Sequence, residues 1–243
     1  MLNFITPVKA LAPLWLLWLA LAAVSLTYST GCSTLHVDEN DPVSLLKEAE
    51  QEIKSDHYQL AIDKLRIIKN KFPYSSSAIE AQLRIADVYF MQESYIESEA
   101  SYEAFRDLHP KHEKTPYAMF HIGKSYYKDI PSTVARDLTP AQKAMEAYRN
   151  YLSLYPTGPN VIEAKQDIAE IRNLLASKEL AIGDYYLIRE FYDSAKPRYK
   201  KVIEFYSDTE SAKSAQEKIA LIDQKASQTK SKEPTQDGRP NPE

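Results

Sequence analysis

Glycine is scarce in this chain, with five among 243 residues, at positions 31, 123, 158, 183 and 238. Tight hairpin turns and phosphate-wrapping loops both draw on glycine's access to positive φ and its missing Cβ. An all-β fold and a phosphate-cradling enzyme are therefore disfavoured together. Cysteine is scarcer still, present only as Cys32, which excludes an intrachain disulfide framework and a Cys-rich zinc site. An excess of one charge is also missing. With 34 acidic and 30 basic residues the net charge is −4, so there is no electrostatic case for nucleic acid as a partner. His109 and His112 flank Pro110 without a Cys or carboxylate at ligand spacing, and neither a metal nor a cofactor is expected. Glu97, Glu99 and Glu103 read as a solvated helix face rather than an acid–base pair. No nucleophile sits in a recognisable turn motif. An enzyme is not expected.

What the chain does have is tyrosine, 17 residues, and one long apolar run. No charged residue lies between Lys9 and Asp38. Ala10 to Val24 has the length of a signal-peptide core, preceded by one positive charge. The run leads through Ser29 and Thr30 into Gly31, Cys32 and Ser33. Small residues before a lone cysteine resemble the bacterial lipoprotein signal, in which the cysteine sulfur is acylated and becomes the new amino terminus. Ser29 departs from that pattern, which usually has an aliphatic residue there. Ser33 in place of Asp favours, by the same resemblance, sorting to the outer membrane. An uncleaved anchor is the competing reading, since Ala10 to Leu26 reaches the short limit of a span. The expectation is a signal peptide over 1–31, lipidation at Cys32 and a tether over 32–41.

Beyond Asp41 the chain repeats. Ala49, Ala61 and Pro73 are spaced by 12 residues, Ala86 follows at 13, Ser98 and Pro110 again at 12, and Gly123 at 13. The 37-residue period, with a small residue on each of two helices and a proline after the second, is the tetratricopeptide (TPR) pattern with a longer loop. Paired helices approach closely only where both carry small side chains, and proline ends the second. The fold class is all-α, a TPR superhelix of about five helix pairs with the last truncated. Units 1 and 2 span 42–110. Unit 3 spans 111–156 and carries an inserted loop within Asp129 to Pro140, with Thr139 as N-cap and Pro140 at N1. Unit 4 spans 157–207 with one lengthened helix over 160–189. Its second helix starts near Asp193 or Ser194, leaving Pro197 in the first turn. A capping helix covers 208–226, with Ala220 at the crossing phase, and a disordered tail covers 227–243.

Two blocks sharpen this reading. One is Arg136-Asp137-Leu-Thr-Pro-Ala141 running on to Leu154-Tyr155-Pro156; the other is Leu175 to Tyr186, with Arg189, Tyr192, Ala195 and Arg198. Together with the lipoprotein-like start they resemble the BamD (ComL) family, lipoproteins of the outer-membrane β-barrel assembly machine. The resemblance implies a scaffold on the periplasmic face of the outer membrane, anchored in its lipid through acylated Cys32. It implies binding of a BamA-like barrel protein through POTRA domains at the carboxy-terminal units, with Arg172, Glu179, Tyr185, Arg189 and Arg198 as scaffold positions. It also implies receipt of unfolded outer-membrane protein precursors by the amino-terminal units. The repeat phase places Leu46, Leu83, Asp87, Phe90, Tyr117, Phe120, Lys124 and Tyr127 on the concave groove, with Glu50 and Ile53. For each aromatic, groove and inter-repeat core stay open. Lys124 either meets a precursor's terminal carboxylate or pairs with Asp87. A generic envelope adaptor with another partner is the second functional reading.

Overall fold

The computed structural model describes residues 40–133 and 135–232. Among them are nine helices and no strand: α1 Pro42–Lys54, α2 Tyr58–Lys71, α3 Ser76–Met91, α4 Tyr95–Leu108, α5 Thr115–Lys128, α6 Thr139–Leu154, α7 Val161–Ile188, α8 Tyr192–Phe205 and α9 Glu210–Lys232. Cys32 as the expected lipidation site, the expected signal segment and the part of the expected tail beyond 232 lie outside the described residues. No described helix is long and apolar enough to cross a membrane.

The chain folds this way because each local signal agrees with the period. Asp41 caps α1, accepting from the Val43 and Ser44 amides at 3.1 and 3.0 Å, with Pro42 in the first turn. Leu45, Ala49 and Ile53 then recur every four residues and bury one face. Ser75 caps α3 through the Ala78 amide at 3.1 Å. The second helix of each pair stops one residue before an aromatic or histidine C-cap: Phe72, His109, Tyr155 and Tyr206. Pro73, Pro110 and Pro156 follow the first three caps, and Ser207 follows the fourth.

Neighbouring helices pack in sequence, and first helices also touch across units: α1 on α3, α5 on α7, α7 on α9. The core is accordingly layered, as in a solenoid. One layer gathers Leu83, Ala86, Tyr102, Phe105 and Ile122; the next centres on Phe120, Tyr148 and Tyr151; the last on Tyr199, Val202 and Ile222. Every crossing position from Ala49 to Ala195 is buried: Ala49, Ala61, Ala86, Ser98, Gly123, Ala144, Gly183 and Ala195. At Gly123 a Cβ would come within 2.6 Å of the Tyr148 ring, and at Gly183 within 2.5 Å of Tyr199. Both tyrosines are fully buried.

Several expectations are corrected. Ala220 is exposed, with no second helix packed on it among the described residues, and Ala212 and Ala215 make the close contact instead. α9 continues to Lys232, past the expected end at 226. Leu138, not Thr139, is the N-cap of α6; Asp137 accepts from the Thr139 amide at 3.0 Å and its hydroxyl at 2.8 Å. α8 begins at Tyr192, so Pro197 lies in its second turn and leaves the Asp193 carbonyl without the usual helical donor.

The turns between paired helices explain part of the glycine shortage. Asp56, Glu93 and Glu190 adopt φ near +60° at equivalent points after α1, α3 and α7. In each, the following amide reaches back five residues and the left-handed residue's own amide three, as in Ser94 to Tyr89 and Glu93 to Phe90 at 2.9 and 3.1 Å. That helix-ending motif usually takes glycine. Here acidic residues occupy it.

Candidate functional site

The first helices are tied to their neighbours by carboxylates. Asp87, buried on α3, accepts from the Tyr102 hydroxyl at 2.6 Å, the Tyr117 hydroxyl at 3.0 Å and Arg84 at 2.9 Å. Arg84 also grips Glu50 of α1 with two bonds, 2.6 and 2.8 Å. Such bidentate pairs are the strong ones. One node therefore ties α1, α3, α4 and α5. Burial opposes the Arg84 charge, but the bonds to Glu50 and Asp87 outweigh it and raise its pKa. Burial, with Asp87 beside them, pushes both tyrosine hydroxyls upward, so they remain donors.

Against this node lies a pocket of about 420 Å³ between α3 and α5, with Ile79, Leu83, Phe105 and Tyr117 as its apolar wall and Glu80, His112 and Lys114 among its polar groups. A second hollow of about 300 Å³ lies between the end of α5 and α7, lined by Tyr127, Ile130, Glu170 and Leu174 among others. No group of three or more His, Cys, Asp or Glu among the described residues is placed to hold a metal ion.

Of the predicted groove residues, Leu83, Asp87 and Tyr117 meet at the first pocket. Phe90 is half-buried and meets the His121 ring edge-on at 5.5 Å. Tyr127 belongs to the second hollow, where its bond to Glu170 and its burial push its pKa up to about 12. Leu46 is half-buried on α1 and lines neither pocket; Ile53 is core. Phe120 is core too, 2% exposed and packed on Tyr148 and Tyr151. Lys124 does not pair with Asp87. It bonds Asp167 and Glu163 of α7, each at 2.8 Å, and lies over the Tyr127 ring. Asp167 in turn accepts from the Tyr148 hydroxyl. A precursor carboxylate would have to displace two carboxylates already there.

The carboxy-terminal set divides likewise. Arg172 bonds Asp208 and the Phe205 carbonyl, and Glu179 accepts from Arg198 and Lys201. These three predicted residues hold α7, α8 and the start of α9 together. Tyr185 and Arg189 face solvent instead, the guanidinium stacked 3.6 Å above the ring, and Ile188 and Phe191 beside them are exposed.

Reading the sequence missed Arg84, Asp167 and the buried tyrosines. The tyrosines had a signal: Tyr102, Tyr148 and Tyr199 each follow the small residue of the second helix by four positions.

The outer membrane lipoprotein family YfiO matches residues 38–237, which contain all nine described helices. The chain belongs to that family. Among its relatives, the outer membrane protein assembly factor BamD of Vibrio cholerae is 27% identical over 206 residues, 81% of this chain and 86% of that protein. BamD of Neisseria gonorrhoeae is 27% identical over 217 residues, 85% of this chain and 80% of that one. Among solved structures, MamA of Desulfovibrio magneticus RS-1 is similar at a TM-score of 0.38 with 17% identity, over 70% of this chain and 77% of its own. TPR-like repeats from Podosopora anserina reach 0.43 with 12% identity, over 81% and 99%. Those two scores are low, and the YfiO fold described above rests on its own helix pairs.

Proposed function

We propose that this protein is a lipid-anchored periplasmic scaffold in the assembly of outer-membrane β-barrel proteins. The observation that carries the reading is the match of the outer membrane lipoprotein family across residues 38–237, supported by relatives named as outer membrane protein assembly factors. In this reading acylated Cys32 holds the chain at the outer membrane. A BamA-like barrel protein docks by its POTRA domains on the carboxy-terminal units, where the exposed stack of Arg189 on Tyr185 offers a rigid aromatic–cation contact. Unfolded precursors reach the pocket between α3 and α5, whose wall of Ile79, Leu83 and Tyr117 suits an apolar segment. Lys114 on its rim takes over from Lys124 as the cation nearest a terminal carboxylate.

Two measurements test the reading. Co-purification of a POTRA-containing fragment should succeed with wild type and weaken about tenfold or more with Arg189→Glu, a loss near 1.4 kcal/mol. A terminal-strand peptide, with free acid or amidated end, should be titrated against wild type and Lys114→Ala. Amidation weakening wild type but not the variant supports Lys114. Amidation changing neither means the pocket selects on apolar contact alone, and no binding of either peptide overturns the precursor role.

A further inference from the structure

The described chain begins at one particular place on the array. Asn40, the first described residue, accepts a 2.9 Å hydrogen bond from Lys71, the last residue of α2. The tether therefore leaves beside the carboxy-terminal end of α2 and the amino-terminal end of α1. Three large apolar side chains lie within about a turn of that bond, and all are exposed: Val43 at 64%, Ile67 at 48% and Tyr74 fully. Lys47, one turn beyond Val43 on α1, is exposed as well. The same edge continues along the repeats. The last residue of each later second helix, equivalent to Lys71, is an exposed Leu108, Leu154 or Phe205. Leu60, Met91, Ile96 and Ile188 at the other ends of the helices are exposed too, so exposure alone does not choose the occupant.

We infer that the rim around the tether exit, Val43, Ile67 and Tyr74, is seated in the headgroup layer of the phospholipid leaflet that holds the anchor. The occupant follows from chain length. Only eight peptide steps separate Cys32 from Asn40, and a fully extended chain of that length reaches at most about 28 Å. The acylated chain would thus keep the rim within that distance of the bilayer. Tyrosine is the residue type that settles at the interface, apolar body inward and hydroxyl in water, and lysine stems lie along such surfaces with the charge outside. The lipid would be read by its amphipathic surface, met by exposed side chains. The inference rests on acylation of Cys32, and the test separates the two.

The acylated protein is reconstituted in vesicles of phosphatidylethanolamine and phosphatidylglycerol in equal amounts. Acylation consumes Cys32, the lone thiol, so a fluorophore can be placed by Val43→Cys or Tyr74→Cys, and by Ile96→Cys or Ile188→Cys on the opposite edge. Brominated lipid should quench the labels at 43 and 74 severalfold and leave those at 96 and 188 unchanged. Flotation without quenching at 43 and 74 keeps the anchor and overturns the rim; equal quenching at all four positions also overturns it. Failure of the chain to float or to incorporate fatty acid overturns the anchor instead. The rim is then judged on the unlipidated chain from Ser33, which retains the whole described core, Leu45 to Ile222. At high lipid its position-74 label should shift to the blue, and Val43→Ser should reduce that shift. No shift at any lipid concentration overturns the rim independently.

Discussion

The Tyr148 hydroxyl donates to Asp167 at 2.5 Å, from the second helix of one unit to the first helix of the next. Tyr102 and Tyr199, at the same repeat position, bond Asp87 and Asp184 within their own units. The difference follows from one residue. The position after the small residue of the first helix is acidic in the other complete units, Glu50, Asp87 and Asp184, but it is Lys124 in the third. A tyrosine hydroxyl needs an acceptor, and α7 supplies the carboxylate that α5 lacks. Lys124, Tyr148 and Asp167 thus join the inserted-loop unit to the long helix, where burial and Asp167 raise the Tyr148 pKa and keep it a donor.

Removing the shared carboxylate should cost more than removing one donor. Asp167→Ala leaves the Tyr148 hydroxyl buried without an acceptor and Lys124 with Glu163 alone, a loss of about 3 kcal/mol. Tyr148→Phe leaves Asp167 on Lys124 and should cost about 1 kcal/mol. Urea midpoints of the two variants and the double variant give the coupling; equal losses would contradict the shared node.

Gly183→Ala should destabilise by roughly 1–3 kcal/mol, because its Cβ would sit 2.5 Å from a buried tyrosine ring that has no room to move. Gly158, in the turn between α6 and α7, is similarly tight: its Cβ would meet the Tyr151 hydroxyl at 2.5 Å, although its φ is not positive. Melting temperatures of the two alanine variants should both fall, and an unchanged value at Gly183 would place the helix crossing elsewhere.

Glu93→Gly should stabilise. Its left-handed φ of 59° strains any side chain, a cost of roughly 1–2 kcal/mol that glycine avoids while giving back part in unfolded-state entropy. A net gain of about 0.5–1 kcal/mol is expected in chemical denaturation, and a loss would mean that the Glu93 carboxylate has a role outside the backbone.

These positions also show what was legible in advance. The small crossing residues could be read because close approach demands them wherever the helices go, and the belonging to the outer membrane lipoprotein family could be read from whole blocks such as Leu175 to Tyr186. Of the two readings of Lys124, the pairing with Asp87 fails, because the repeat phase gives its own azimuth on α5 but not that of α7, whose lengthened run breaks the period and brings Glu163 and Asp167 to it. Phe120 could not be divided between groove and core without the position of Tyr151, nine residues past phase through the inserted loop. Ala220 followed the phase and still lay exposed, since phase says where a helix would cross and not whether one packs there among the described residues.

The last prediction concerns His121, whose ring is enclosed by Tyr117, Tyr102, Phe120 and Phe90. Its Nδ1 is buried without a hydrogen-bond partner in the structure. Burial pushes its pKa down to about 4; Asp87 and Glu163 pull the other way, and Lys124 adds to the lowering. The unfolded chain takes up the proton near 6.5, while the folded chain refuses it until about 4. Stability is therefore full above pH 6.5 and is lost progressively as the pH falls toward 4, by roughly 3 kcal/mol from this group. His121→Phe removes both the orphan nitrogen and the proton uptake while keeping a ring in the aromatic box. Above pH 6.5 it should stabilise by about 1 kcal/mol. The gap from wild type should then widen toward pH 4, which urea unfolding of both proteins across that range measures. A gap that stays constant with pH would show that His121 takes up its proton as readily in the folded chain as in the unfolded one and that the aromatic box is open to water.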